Sequence, residues 1–381
     1  MPLAPDLAAE ARRQLTICNA CRYCEGYCAT FQVLELRPRL SDGDISVVGN
    51  VCHDCRGCYQ ACMFAPPHEF AINIPLLLSQ VRTETYATYA WPSALATLFG
   101  RAATGSAIAA AVGLIVMAGI SLATGGGARF FAADAAPGSF YRIVPYFGMV
   151  IPAMLLSLYA LLSFGMSAAA FSRDARIRLT ELFAPRALVS IARDALTLHW
   201  MSGGGYGCYY PEKEKTSETR RAFHVLLVAG FISAFLSTTV AAIYQELLGV
   251  LPPYGMTSLP VILGMAGGAA MIVGATGLLA LKVGAAGELI SRTMLRMDVA
   301  FLVVFDLVSI TGMALLFLRD TPLMGTLLLA HFAALAALYA TIPYGKFAHV
   351  VYRLLTLLET RRDVVAPPVA AARRQGASGP A

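Results

Sequence analysis

Six long apolar segments decide most of how this chain can fold. They lie near 105–124, 140–166, 222–246, 259–283, 298–318 and 323–344. Each is long enough to supply the roughly 20 helical residues that cross a hydrocarbon layer about 30 Å thick. In that medium every backbone donor and acceptor needs a protein partner, which leaves only helices or a closed barrel. The run length and the lack of strict alternation exclude the barrel. Composition agrees, since 57% of the 381 residues are hydrophobic and 14% are charged, against about 25% charged in an ordinary soluble domain. The deficit is uneven. Residues 1–100 read as a polar domain, so the expectation is a head fused to a membrane bundle.

Basic residues set the expected topology. The connection 167–221 carries Arg173, Arg176, Arg178, Arg186, Arg193, Lys213, Lys215, Arg220 and Arg221, and the connection 284–297 adds Arg292 and Arg296. The C-terminal stretch has Arg353, Arg361, Arg362, Arg373 and Arg374, whereas the opposite loops hold little beyond Arg129 and Arg319. The positive-inside rule then places both termini and the head in the cytoplasm. Met1–Thr16 has no apolar stretch of signal-peptide length, in keeping with a head that is not exported. The formal charge of +6 bears on this topology; nucleic acid is not expected as a partner. Arg and Asp alternate with Leu, Ile and Val at helical spacing over 172–199, which predicts an amphipathic helix on the inner surface, followed by a loop at Ser202–Pro211. Gly264 and Gly268 form a small-xxx-small pair suited to close helix packing.

Eight of the nine cysteines fall within the first 62 residues, in two runs of identical spacing: Cys18, Cys21, Cys24 and Cys28, then Cys52, Cys55, Cys58 and Cys62. In a reducing compartment, clustered cysteines read as metal ligands rather than disulfides. The spacing C-x2-C-x2-C-x3-C wraps three thiolates round one iron–sulfur cubane and sends the fourth to a second. The expected sets are Cys18, Cys21, Cys24 and Cys62 for one 4Fe–4S cluster, and Cys52, Cys55, Cys58 and Cys28 for the other. Ala29 and Met63 stand where proline commonly follows the fourth cysteine. Zinc sites, built from two C-x2-C pairs with a longer gap, fit poorly. His53 and His68 are expected to be solvated or bonded to the loops. No dinucleotide or P-loop motif is present, because Gly203-Gly204-Gly205 lacks the strand–turn–helix context. The head is therefore read as an electron wire whose donor is another polypeptide.

Ionisable residues inside membrane helices point to function. His224 opens the third span and His349 follows the sixth, so both lie near the inner surface, where they are read as the two ligands of one haem b. Each alone reads better as an interfacial residue bonded to backbone or lipid headgroup; it is the pair that favours haem. Arg220, Arg221 and Lys346 flank them as candidate partners of the haem propionates. His331 lies deeper; a ligand to a second haem, a quinone contact and simple packing all stay open for it. A continuous helix would set His331 and His349, 18 residues apart, on one face, but Pro343 lies between them. Asp306 is read either as a proton carrier for a quinone or as an interhelical partner. His199 is read as solvated, and Cys208 as a structural thiol.

These features resemble the tricarballylate or citrate utilisation protein B family. The likeness runs from Cys18 to about Arg353. Besides the cysteine runs, it is carried by Ile72-Asn73-Ile74-Pro75, Val81-Arg82-Thr83-Glu84-Thr85-Tyr86 and Tyr89-Ala90-Trp91-Pro92. Further on it includes Gly203-Gly204-Gly205, Gly207-Cys208-Tyr209-Tyr210-Pro211, Arg220-Arg221-Ala222-Phe223-His224 and Ile342-Pro343-Tyr344-Gly345-Lys346-Phe347-Ala348-His349. The last histidine-bearing span also looks like those of nitrate reductase and heterodisulfide reductase cytochrome b subunits. The resemblance implies an all-α protein of the bacterial inner membrane. It has a two-cluster ferredoxin-like head at 1–92 and a six-span, cytochrome b-like domain at 93–355 with an amphipathic segment at 167–221. A disordered cytoplasmic tail follows at 356–381. It further implies a partner, an FAD-dependent tricarballylate dehydrogenase, whose reduced flavin passes electrons through the clusters and haem to membrane quinone. Val225 follows His224 where the family pattern suggests a second histidine, which leaves the haem number open. Two other roles compete: a quinol-oxidising subunit feeding a cytoplasmic reductase, and a membrane redox sensor.

Overall fold

The computed structural model describes residues 3–134, 136–179, 185–198, 200–201, 207–210, 215–283 and 287–365. His199, Gly203-Gly204-Gly205 and residues 366–381 lie outside the described residues.

The head is helical. Helix α1 (Pro5–Cys21) starts on a proline, whose fixed φ and missing N–H suit the first turn. It stops at Arg22 in a left-handed conformation, φ 56°. After α2 (Ala29–Glu35), the Ser41 hydroxyl accepts the Asp44 amide while the Asp44 carboxylate accepts the Ser41 amide. This reciprocal cap opens α3 (Asp42–Val51). Short α4 (Gly57–Gln60) follows, then α5 (Ile74–Tyr89), capped by Asn73 accepting from the Leu76 amide. Leu15, Leu34, Ile45, Val48, Leu78 and Val81 face inward and are at most 1% exposed, so they form the head's core. At Gly49 a Cβ would sit 2.6 Å from the Val81 side chain, so only glycine lets α3 and α5 pack this closely.

Helix α6 (Ser93–Phe99) leads into the bundle. Its six long helices are α7 (Ala102–Ala123), α9 (Tyr146–Asp174), α11 (Thr219–Glu246), α12 (Leu259–Val283), α13 (Arg292–Leu318) and α14 (Met324–Thr341), all long and apolar enough to cross a membrane. The short α8 (Ser139–Ile143) separates α7 from α9. In space α11 packs on α12, α12 on α13, α13 on α14 and α14 on α7, with α9 against α14. Leu158, Leu161 and Ile115 are largely exposed, as expected of a lipid-facing surface. The close approach of α11 and α12 also uses a glycine pair that the sequence did not single out. Gly230 of α11 and Gly267 of α12 each sit where a Cβ would lie 2.8 Å from the other's carbonyl oxygen. Gly264 instead faces Ser237 of α11, and Gly268 faces Met313 of α13.

Three other expectations change. The segment 172–199 is not one surface helix, because α9 continues to Asp174 and a separate α10 occupies Pro185–Thr197. A two-stranded hairpin, β1 (Cys208–Tyr210) with β2 (Lys215–Ser217), follows. The sixth span ends at Thr341, and a turn of 3-10 helix over Lys346–Ala348 reorients the chain into α15 (His349–Val365). His331 and His349 therefore do not share a continuous helix. Finally, the chain beyond 356 does not begin as a disordered tail. Tyr352, Leu355, Thr356 and Glu359 recur at helical spacing and are buried, and α15 docks on the head's core. There Tyr352 stacks on Tyr86 with centroids 5.2 Å apart, and Glu359 pairs with Arg37 at 3.6 Å.

Candidate functional site

The cysteines gather into two groups that mix the runs. Cys18, Cys21, Cys24 and Cys62 line one cavity, walled by Ile17, Phe31, Phe64 and Ile72. Cys28, Cys52, Cys55 and Cys58 line another. Phe31 borders both, so the two cavities adjoin. Two left-handed residues, Asp54 and Arg56, bend the second run round its cavity.

The thiols' electrostatics reflect this grouping. Burial, then the proximity of Cys62, Cys24 and Cys21, pushes Cys18 up to about 12. Cys24 is likewise pushed up to about 12, by burial and then Cys62. In the second group burial raises Cys28, Cys55 and Cys58, with the neighbouring thiols of that group adding to it. Thiols packed this way ionise only if a metal takes up the negative charge. Among the described residues no group of three or more His, Cys, Asp and Glu converges on a point that would hold one metal ion.

The loop of the second group is clamped from three sides. Arg82 of α5 donates to the carbonyls of Gly49 (3.1 Å) and Cys52 (3.3 Å). Arg353 of α15 donates to the same Cys52 carbonyl at 2.8 Å, and Arg220 of α11 donates to the Asp54 carbonyl at 2.5 Å. The hairpin completes the seat, with the Tyr209 amide donating to the Cys55 carbonyl at 2.8 Å. Cys208 is buried beneath it, within 3.9 Å of Arg220. His53 is buried rather than solvated, and burial followed by the charge of Arg353 holds it well below the ordinary imidazole value. His68 accepts the Phe70 amide at 3.0 Å.

His224 and His349 meet. Their ring centroids lie 6.2 Å apart with planes at 82°. His224 is four residues after Arg220 and His349 four before Arg353, so each histidine sits one helical turn from an arginine that grips the cysteine loop. Nδ1 of His349 is 2.6 Å from the Lys346 carbonyl, which fixes Nδ1–H as donor and leaves Nε2 with a free lone pair. Burial, then Arg353, keeps His349 neutral. Nδ1 of His224 is buried with no hydrogen-bond partner among the described residues. Below the pair, Phe347 packs against Phe164, Phe231 and Phe301, making an apolar floor.

The flanking cations have partners of their own. Arg221 donates to the Thr197 carbonyl at 2.8 Å. Lys346 pairs with Asp298 at 2.8 Å, and Lys282 joins the same buried carboxylate at 2.5 Å. His331 stands apart: its Nδ1 is 3.1 Å from the Thr311 hydroxyl and its ring lies over Gly312. Asp306 accepts from Thr276 of α12 at 3.1 Å, an interhelical contact. In the sequence alone Arg82, Arg353 and Asp298 have no role at this site, because their partners lie far away along the chain.

Fold and site together define a six-span membrane protein carrying a small, cysteine-rich helical head. The family described as citrate utilization protein B matches residues 98–370, and its Fer4-like domain matches residues 11–88. The chain is also 38% identical over 352 residues to citrate utilization protein B of Escherichia coli, spanning 92% of this chain and 91% of that protein. No solved structure matches. The chain belongs to the citrate utilization protein B family.

Proposed function

We propose that this protein is a membrane electron-transfer subunit. It takes electrons from the reduced FAD of a partner dehydrogenase acting on tricarballylate or a related tricarboxylate, and delivers them to membrane quinone by way of two 4Fe–4S clusters and a haem b. Cys18, Cys21, Cys24 and Cys62 hold one cluster, and Cys28, Cys52, Cys55 and Cys58 the other. The observation that carries the reading is the meeting of His224 and His349 beside the second cysteine group. An iron between two imidazoles, with Fe–N bonds of about 2 Å and each ring centre ~1.1 Å behind its nitrogen, spaces the centroids by roughly 6 Å. The 6.2 Å observed fits that spacing, and the tautomer set by the Lys346 carbonyl suits ligation. A haem held there supplies a one-electron carrier at the edge of the bundle. The basic residues of the 167–221 and 284–297 connections support a cytoplasmic head in a bacterial inner membrane, where it meets a soluble flavoprotein.

Optical and EPR spectra of the purified full-length protein test this. A b-type haem band and two reducible cluster signals are expected; the reduced flavoprotein partner should bring up the reduced haem band and the EPR signals of the reduced clusters, and added quinone should reverse both. A protein with neither haem nor clusters after anaerobic preparation overturns it.

A further inference from the structure

The two cysteine groups share one spacing but not one environment. The first lies at the surface. Cys21 is exposed, Tyr23 and Met63 beside it are 60% and 62% exposed, and the nearest arginine, Arg22, is exposed and already paired with Glu35 at 3.2 Å. Glu25 lies next to Glu35, so the local charge leans negative. The second group sits at the seam between head and bundle. Arg82 is 2% exposed, and with Arg220 and Arg353 it grips the backbone at Gly49, Cys52 and Asp54. Arg56 within the loop is buried as well. Against these four cations stands one acidic side chain of the loop, Asp54.

Each cluster gains negative charge when it accepts an electron, so nearby cations favour its reduced state. Burial alone acts the other way, by penalising added charge. At the second group these four cations, with Lys282 acting on Asp54, outnumber Asp54 and the Asp298 carboxylate that acts on Arg220, and screening by water is weak there, so the cations prevail. We infer that Arg82, Arg220 and Arg353 hold the cluster of Cys28, Cys52, Cys55 and Cys58 at the higher potential of the two. That makes it the inner site, which passes electrons toward the histidine pair. The cluster of Cys18, Cys21, Cys24 and Cys62 is the surface site that receives them. With both clusters bound, one electron would pass from the surface group to the inner group, the first being oxidised as the second is reduced, with no bond made or broken. This deepens the function proposed above and rests on it.

An EPR-monitored redox titration of the full-length protein decides the matter. Two potentials are expected, and Cys21→Ser should perturb the signal of lower potential. Arg353→Gln and Arg82→Gln should each lower only the other signal, by about tenfold in the ratio of reduced to oxidised cluster, or ~59 mV for a one-electron couple. Arg22→Gln should move neither. The inference is overturned if Cys21→Ser perturbs the higher-potential signal, or if the Arg353 and Arg82 variants shift both signals alike or neither. Should the glutamine variants fail to assemble the inner cluster, the Cys21→Ser assignment in the wild-type arginine background still decides the order, and Arg353→Lys, which keeps the charge, should leave both potentials in place. Absence of two cluster signals from the wild-type protein would overturn the function proposed above, and this inference with it.

Discussion

Histidine occurs in two settings in the membrane part of this protein, and they differ in how firmly each ring is held. His224 and His349 come from helices far apart in sequence and face one another at the seam with the head. His331, on α14, is only partly buried against α13, where it meets the Thr311 hydroxyl and the Val308 backbone. The first pair is supported from behind: Lys346, whose carbonyl meets Nδ1 of His349, is itself anchored to Asp298. His331 has no such scaffold among the described residues. A side chain built to bind something needs its rotamer and tautomer fixed by its neighbours. One packed between helices needs only one hydrogen bond.

The largest effect that could break this contrast is complete loss of haem. His349→Ala and His224→Ala should each abolish the b-type band in purified protein, while His331→Ala should retain it. Equal loss in all three would remove the distinction. Next in size is the anchor. Asp298→Asn leaves Lys282 and Lys346 without their shared buried charge, and breaking such a pair costs about 3–5 kcal/mol. We expect a sharp fall in thermal stability, read from the temperature at which the haem band is lost, together with weaker haem retention from the freed Lys346 turn. Tyr352→Ala should act by another route, removing a buried ring from between Tyr86 and Phe171, at about 3–5 kcal/mol. Because α15 carries both His349 and Arg353, undocking it should disturb the haem and the inner cluster together, seen as paired changes in the optical and EPR spectra.

How much of this was legible in the sequence follows from how local each feature is. The six spans follow from hydrophobic run length, and their positions hold to within a few residues except at α9 and α13, which extend into the basic connections at 167–221 and 284–297. The cysteine spacing states a ligand count. It does not state that one group faces solvent and the other lies under three arginines, because those arginines come from α5, α11 and α15. The docking of α15 had a signal in the periodic Tyr352, Leu355 and Glu359, but what it packs against lies about 270 residues earlier at Tyr86 and 320 at Arg37. The break after Thr341 was marked by Pro343, but nothing there marked that the chain beyond it sets His349 against His224.

The smallest predicted effect tests the other side of the contrast. Thr311→Ala removes the one hydrogen bond seen at Nδ1 of His331, and a bond of this kind contributes about 0.5–1.5 kcal/mol net. If His331 only packs, the variant should lose that much stability and leave the haem spectrum and quinone reduction unchanged. If quinone reduction falls several-fold while the spectra stay intact, the ring orientation set by Thr311 serves the acceptor. His331 would then join the working parts of the molecule, some distance from the pair at the seam. The two histidine settings would in that case be two stations of one path, distinguished by how firmly each ring is held.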